Sequence, residues 1–314
     1  MSRSGSPATP DVEGGWRAPY EVDLAAVLGP FVRGGMDPCN VIQGSRSAWR
    51  ASRTPDGPGT LRIEADASDV SAAAWGPGAE WLVASVPGLL GFDDAPSESV
   101  MQALPPHLAP VWERLRRTWR VPRSRLVLEA LVAAVLEQKV TGVQSRRAWR
   151  SLVVETGAQA PGPLPRPMHV LPDAADLRRV PSWTWHRWGV TPHQATTLLA
   201  ALRSPGRLEE CADLRADQGR ARLRSIRGIG EWTTAEVAQR ALGDSDAVSF
   251  GDYHLAQQFV HAFTGDRDGT DEQMAQLLMP FSGHRYRVQR VVEMSGISRA
   301  ARGPRMSIAD HRRR

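Results

Sequence analysis

Asp252 is the side chain of this sequence best placed to do chemistry. It lies 24 residues after Gly228, among apolar residues and just before a predicted helix. Asp is a common helix N-cap. A carboxylate held at the mouth of a pocket can also stabilise developing positive charge or orient water. One residue can fill both roles, so Asp252 is a candidate catalytic group.

The turn Gly228-Ile229-Gly230 could hold a polyanion near that carboxylate. Two glycines around an apolar residue let the backbone turn tightly and approach another surface. The amides that start the next helix can bind a phosphate, and Arg224 and Arg227 add positive charge. The spacing of Thr233 and Glu236 predicts a capping box at the start of that helix. An ordinary connection between two helices is the alternative interpretation.

Charge and cysteine content narrow the class of protein. The net charge is +5; residues 1–120 carry 11 Arg against 14 acidic residues, whereas residues 121–314 carry 28 basic against 20 acidic residues. A polyanion partner would therefore bind the C-terminal two thirds, unless the charge serves only solubility. Two cysteines cannot form a Cys₄ zinc or iron–sulfur site. We expect no resident metal centre and no cofactor.

Patterning predicts two kinds of architecture along the chain. Alternating residues 47–53 and 60–64 around a Pro/Gly turn predict a β-hairpin. From about residue 105 the pattern becomes helical, and the apolar run Leu126–Leu136 predicts a buried helix too short to span a bilayer. The sequence thus predicts a mostly α protein with a small α+β N-terminal domain. The predicted boundaries are 1–15 flexible tail, 16–112 α+β domain, 113–298 helical body and 299–314 basic tail.

Three segments together resemble the helix-hairpin-helix (HhH-GPD) DNA glycosylases, and within them the AlkA-like bacterial 3-methyladenine DNA glycosylase II branch. The first is Leu223–Val237 followed by Asp252-Tyr253. Leu136–Thr141 is similar to the family's Leu-x-Gln-x-Val-Ser/Thr segment, and Arg285-Tyr286 is similar to the late helix behind its pocket. The resemblance covers roughly residues 16–297 and implies the HhH-GPD glycosylase fold.

The resemblance implies that the hairpin binds the DNA backbone, often with a monovalent cation held by its carbonyl oxygens. Lys139 occupies the position of the wedge that fills the gap left by a flipped base, and Gln138 would lie beside the unpaired strand. Lys139 could alternatively bind a phosphate. The implied DNA-binding residues are Arg227, Gly228, Ile229, Gly230, Thr233, Gln138 and Lys139.

The resemblance also implies the catalytic site. Asp252 aligns with the family's catalytic Asp, and Trp232, Glu236 and Tyr253 fall at base-pocket positions. Glu236 stands where a close relative carries an aromatic residue. Bifunctional members place the Schiff-base Lys at the position of Trp232, and Lys139 is the only Lys of this chain. This implies a monofunctional glycosylase without lyase activity.

The implied function is base-excision repair of alkylated purines, namely 3-methyladenine and 7-methylguanine, by flipping out the base and hydrolysing its glycosidic bond. The implied partner is double-stranded DNA with a damaged base, bound by a monomeric, cytoplasmic, nucleoid-associated protein. One alternative is another lesion such as hypoxanthine or an oxidised pyrimidine. Another is a non-catalytic protein that binds distorted duplexes. Asp252 argues against the latter, because a carboxylate facing a polyanion costs affinity.

Overall fold

The structure, a computed structural model, describes residues 9–297. Residues 1–8 of the predicted N-terminal tail and the predicted basic tail 299–314 lie outside the described residues. Within residues 9–297, no helix is long and apolar enough to cross a membrane.

An antiparallel sheet occupies the N-terminal part of the chain, with strand order β1-β5-β4-β3-β2. A separate two-stranded ribbon lies later in the chain. The strands are β1 Val12–Arg17, β2 Asn40–Gln43, β3 Ser47–Thr54, β4 Gly57–Asp66, β5 Asp69–Trp75, β6 Ala158–Gln159 and β7 His169–Val170.

Helices make up most of the remainder. The N-terminal part contains α1 Leu24–Leu28, α2 Ala79–Leu89, α3 Ser99–Ala103 and α4 Ala109–Thr118. The middle of the chain contains α5 Val127–Glu137, α6 Gly142–Thr156, α7 Ala174–Arg179, α8 Ser182–Arg187, α9 Pro192–Ala201, α10 Pro205–Glu209, α11 Ala216–Arg224 and α12 Glu231–Val237. The last part contains α13 Leu255–Thr264, α14 Asp271–Leu278 and α15 Arg285–Met294. Shorter 3-10 helices span Gly29–Phe31, Glu210–Asp213 and Met279–Phe281, and a π-helix, Ala238–Leu242, continues α12.

The predicted β-hairpin is present. Strands β3 and β4 pair antiparallel with Ser47 opposite Glu64. The predicted tail 1–15 is wrong at its end, because β1 begins at Val12 and pairs with β5 along its length. The backbone hydrogen bonds of β1 therefore place residues 12–15 in the sheet.

Two large apolar cores divide the helices differently from the predicted domains. One core joins the sheet and α1–α4 with α13–α15, and the other joins α5–α12. The predicted boundary at residue 112 falls inside α4, where Trp112 and Leu115 are buried in the first core. The predicted body 113–298 is therefore split between the two cores.

The predicted buried helix is α5, which lies at the centre of the second core. Leu131 and Val135 are completely buried, as expected for a helix that is apolar almost all round. Glu129 of α5 forms an ion pair with Arg50 of β3 at 2.7 Å, with both side chains largely buried. This ion pair fixes α5 against the sheet, and α5 in turn supports the hairpin described below.

Candidate active site

The Gly228–Gly230 turn joins α11 to α12. Gly228 has a φ of +90°, and a Cβ there would lie 2.1 Å from Oγ1 of Thr197 in α9. Only glycine fits this position, because of both its backbone conformation and this close contact. The side chain of Ile229 is 5% exposed and anchors the turn in the second core.

Gly230 differs from Gly228 in having open space beside it. Its φ is −90°, and a Cβ there would meet no atom within 4 Å. Neither the backbone conformation of the described chain nor its packing requires glycine at this position. The absence of a side chain leaves the backbone of an exposed turn accessible to an external surface.

The predicted capping box at Thr233 and Glu236 is wrong. Helix α12 begins at Glu231 with Gly230 as its N-cap, and no side chain caps it. Thr233 lies inside the helix with only 2% exposure, so its side chain is not placed to contact DNA. Its hydroxyl instead accepts a hydrogen bond from Gln138.

Gln138 connects the end of α5 to the hairpin. Its Nε2 donates to the carbonyl oxygen of Gly228 at 3.1 Å and to Oγ1 of Thr233 at 2.8 Å. Gln194 in α9 holds the same junction from the other side, donating to the carbonyl oxygens of Leu136 and Gln138. The side-chain amides of Gln138 and Gln194 thus connect α5, α9 and α12 around the turn. They supply donors to backbone carbonyl groups, such as those at the end of α5, that have no partner within a helix.

Lys139 and Arg227 are exposed beside this junction. Lys139 follows Gln138 in the chain, and Arg227 precedes Gly228, so the Gln138–Gly228 hydrogen bond brings both cations to the hairpin. Lys139 has a φ of +53°, a left-handed conformation that is uncommon for a non-glycine residue. The tight turn between α5 and α6 thus presents the only Lys of the chain at its tip.

Asp252 lies in the loop before α13. Its Oδ1 accepts hydrogen bonds from the backbone amides of His254 at 2.9 Å and Leu255 at 3.0 Å. Its Oδ2 accepts one from Nε1 of Trp232 at 3.3 Å. The N-cap residue of α13 is His254 and not Asp252, so the expected N-cap position is wrong by two residues. The Asp252 carboxylate still accepts from the amides at the start of α13 while its Oδ2 faces Trp232 of α12.

A cavity of about 480 Å³ is lined by Glu236, which lies one helical turn after Trp232 on α12. We call it the interhelical cavity; α1 with the Gly29–Phe31 turn, α12 with its π-helix, and α15 line it. This size suits a small-molecule or base-sized ligand. Its ionisable lining side chains are Asp23, Glu236, Arg240, Tyr286, Arg290 and Glu293.

Solved structures with a similar fold cover nearly all of the chain. A 3-methyladenine DNA glycosylase from Archaeoglobus fulgidus superposes with a TM-score of 0.72 at 14% identity, over 90% of this chain and 97% of that one. The Clostridium acetobutylicum 8-oxoguanine glycosylase/lyase, in complex with DNA containing cytosine opposite 8-oxoguanine, superposes with a TM-score of 0.67 at 10% identity, over 91% and 97%. The chain has the helix-hairpin-helix DNA glycosylase fold. No protein-family model matches it, and no curated protein matches it in sequence.

The glycosylase fold places the predicted base-pocket residues in three different settings. Glu236 lines the interhelical cavity, and Trp232 lies one turn before it on the same face of α12 and contacts Asp252. Tyr253 does not line the cavity: its side chain is 85% exposed, with its ring edge against His254. The prediction that Tyr253 helps to form the pocket therefore has no support in this cavity.

The sequence motifs did not indicate the polar residues that line the cavity with Glu236. Arg240 follows it by four residues and forms an ion pair with it, and Glu293 lies four residues after Gln289 on α15. Burial lowers the pKa of Arg240, but the nearby groups Glu236, Tyr286 and Glu137 together outweigh this and raise the pKa above its ordinary value. Burial raises the pKa of Tyr286 to about 12. The i,i+4 spacing of polar residues on two helices was the available signal.

The expected monovalent cation stays a prediction. Hydrogen bonds already reach two of the hairpin carbonyl oxygens, from Gln138 to Gly228 and from Thr234 to Gly230. Elsewhere in residues 9–297, no group of three His, Cys, Asp or Glu side chains is arranged to hold a metal ion.

Proposed function

We propose that this protein is a DNA glycosylase that removes a damaged base by hydrolysis, with Asp252 as its catalytic carboxylate. The observation that carries the proposal is the position of Asp252, which backbone amides hold against Trp232. Trp232 lies one helical turn before Glu236, which lines a base-sized cavity. Damaged double-stranded DNA is the proposed partner, and the protein acts as a monomer on the nucleoid.

The hairpin surface would bind the DNA backbone beside the lesion. Gly230 leaves room for a phosphate to approach the main chain, and Arg227 and Lys139 add positive charge beside it. The damaged base must rotate out of the stack, which costs a few kcal/mol and costs less for a mispaired or damaged base. Lys139, at the tip of the turn between α5 and α6, would occupy the vacated position or bind a neighbouring phosphate.

Asp252 would then act on the sugar. Cleavage of a glycosidic bond builds positive charge on the sugar ring, and a fixed carboxylate stabilises that charge in a site that excludes water. Because Oδ1 is engaged by two amides, Oδ2 is the oxygen left to face the sugar or to orient the attacking water. The long contact with Trp232 leaves lone pairs of Oδ2 available.

The reaction would leave the DNA strand uncut. A lyase step needs an amine that forms a Schiff base with the sugar. Trp232 stands at the position where bifunctional members carry that Lys. The only Lys of the chain, Lys139, lies in the turn between α5 and α6, in a different motif.

Alkylated purines, 3-methyladenine and 7-methylguanine, are the first proposed substrates, because the sequence motifs resemble those of the alkylbase branch. Hypoxanthine is a second candidate, favoured by the polar lining of the interhelical cavity. Oxidised pyrimidines fit less well, since most glycosylases for oxidised bases use the absent Lys.

The test uses duplex DNA treated with a methylating agent, with release of free bases measured for wild type and Asp252→Asn. Strand breaks are scored before and after alkali. We expect wild type to release base, with breaks only after alkali, and Asp252→Asn to be slower by about 100-fold or more. Asp69→Asn, an exposed change on β5, is the matched control and should behave as wild type.

Measurements of DNA binding distinguish the proposed enzyme from the alternative, a non-catalytic DNA-binding protein. Asp252→Asn should bind abasic or distorted duplex at least as tightly as wild type, because it removes a negative charge. Tight binding by wild type without release of any base would contradict the proposed activity. Strand breaks before alkali would contradict the monofunctional assignment.

A further inference from the structure

The interhelical cavity is not an aromatic cage. Within the described chain, its only aromatic lining residue is Tyr286, whose side chain is 2% exposed and so offers little ring face to a ligand. A cationic base would need such a face if the pocket recognised it through cation–π contacts. Carboxylates and guanidinium groups line this cavity instead.

Glu236 is held in one orientation by two neighbours. Its Oε1 accepts from Oγ of Ser249 at 2.6 Å, and its Oε2 pairs with Nη1 of Arg240 at 2.8 Å. A hydroxyl has one hydrogen, and Gln239 already donates to the same Ser249 oxygen at 2.9 Å. The Ser249 hydrogen must therefore point at Glu236. Since a carboxylate has about four acceptor sites, roughly two remain available.

Arg240 places donors beside that acceptor. Its Nε donates to the carbonyl oxygen of Pro30 at 2.9 Å, and its Nη1 to the carbonyl oxygen of Glu236 at 2.9 Å. No hydrogen bond between residues 9 and 297 engages its Nη2. A guanidinium only donates and a carboxylate only accepts. The cavity wall therefore carries a fixed acceptor next to a fixed donor.

We propose that Glu236 and Arg240 read the 6-oxopurine edge of a flipped base, so that N1–H donates to Glu236 and O6 accepts from Arg240. The proposal rests on the glycosylase function proposed above and names the substrate class of that site. Hypoxanthine and 7-methylguanine share this edge, although the first is neutral in DNA and the second is cationic. 3-Methyladenine has a 6-amino group and no N1–H. A buried site built to hydrogen-bond one edge discriminates strongly against a base that leaves its groups unpaired.

The deciding variant is Glu236→Gln, measured on three substrates: hypoxanthine, 7-methylguanine and 3-methyladenine in otherwise identical duplexes. Glutamine keeps the length of the side chain and an acceptor for Ser249 but replaces one carboxylate oxygen with an amide donor. We expect kcat/KM for hypoxanthine and 7-methylguanine to fall about 10- to 100-fold. Release of 3-methyladenine should fall much less, because this base has no N1–H to donate to Glu236. Glu80→Gln, an exposed change on α2, is the matched control.

Any other pattern of activity on the three substrates contradicts the proposal. A loss confined to the two cationic bases would mean that Glu236 recognises charge. An equal loss for all three would mean a structural role, and an unchanged profile would mean no role. Activity of wild type on 3-methyladenine alone would also contradict edge reading. Failure of wild type to release any of the three bases would instead refute the glycosylase function for these lesions, and that result does not depend on the Glu236 variant.

Discussion

Different kinds of contact hold the two sides of α12, neutral ones at the hairpin and charged ones at the cavity. On the hairpin side, the neutral contacts of Gly228, Ile229 and Gln138 hold the turn, and the backbone of Gly230 is open. On the cavity side, Glu236 and Arg240 form an ion pair within a polar network. In the proposed function, the turn meets the same phosphates at every site of a duplex, so a neutral, rigid turn would suit all of them. Charged side chains that face a cavity can distinguish one base from another.

The largest expected effect is on the hairpin side. Gly228→Ala should cost about 2 to 4 kcal/mol of unfolding free energy, since it adds the strain of a left-handed alanine to a clash with Thr197. Gly230→Ala meets neither obstacle and should leave the free energy of unfolding nearly unchanged. It should weaken DNA binding, because its methyl group projects from the exposed turn. Chemical denaturation and DNA titration of both variants separate packing from binding.

Equal destabilisation by the two glycine variants would contradict the distinction between a packed and an open glycine. Unchanged DNA binding by Gly230→Ala would show that the phosphate does not approach this part of the backbone.

A smaller effect is expected at the junction between α5 and the hairpin. Gln138→Ala removes the donor to the Gly228 carbonyl and the Thr233 hydroxyl and should cost about 1 to 3 kcal/mol. Because the hairpin loses its link to α5, DNA affinity should fall together with stability. Thr233→Val keeps the donor and one of its two acceptors, so its loss in thermal denaturation should be smaller. A larger loss for Thr233→Val would mean that Gln138 is not the link.

The smallest effect is expected on the cavity side, in the loss of stability at acid pH. There Asp246 connects the loop after the π-helix to the start of α15. It accepts hydrogen bonds from the amide of Gly283 and the side chain of Arg285. Burial alone raises the pKa of Asp246, but these bonds outweigh it and hold the pKa below the usual 3.8. Asp246 therefore stabilises the fold above pH of about 4, and this contribution is lost as the pH falls through the lower folded value.

Asp246→Asn should accordingly remove part of the acid sensitivity of unfolding. The loss at neutral pH should be about 1 kcal/mol or less, because the pair is partly exposed. Denaturation curves at several pH values below 5 would show a shallower fall for the variant than for wild type. Parallel curves would mean that other carboxylates control the acid transition.

Local signals predicted the hairpin well. The glycine spacing marked the turn, and Asp252 lies, as expected, just before a helix, although it bonds amides at the helix start from two residues before the N-cap. The same local logic misassigned Thr233, since the helix begins two residues earlier and buries that hydroxyl against Gln138. The distance along the chain between Gln138 and Thr233 hides this partnership from any short window.

The interhelical cavity could not be predicted from the sequence. Its walls come from α1, α12 and α15, which lie far apart in the chain. Helices α1 and α15 belong to the first core and α12 belongs to the second. Glu236 is recognisable as an unusual residue, but its orientation depends on Ser249 and Arg240, and through them on the loop before Asp252 and the turn at Pro30. Such a set becomes apparent only when the tertiary packing is known.

The π-helix Ala238–Leu242 has an evolutionary consequence. A π-helical turn holds one residue more than an α-helical turn, and one residue corresponds to a rotation of about 100° around the helix axis. The side chains that follow Val237 are therefore aimed differently than in a regular helix, while the hairpin before them keeps its place. Gain or loss of a single codon in this segment would re-aim Arg240 without moving Gly228. A lineage could thus exchange the contents of the cavity and inherit the turn proposed to bind DNA intact.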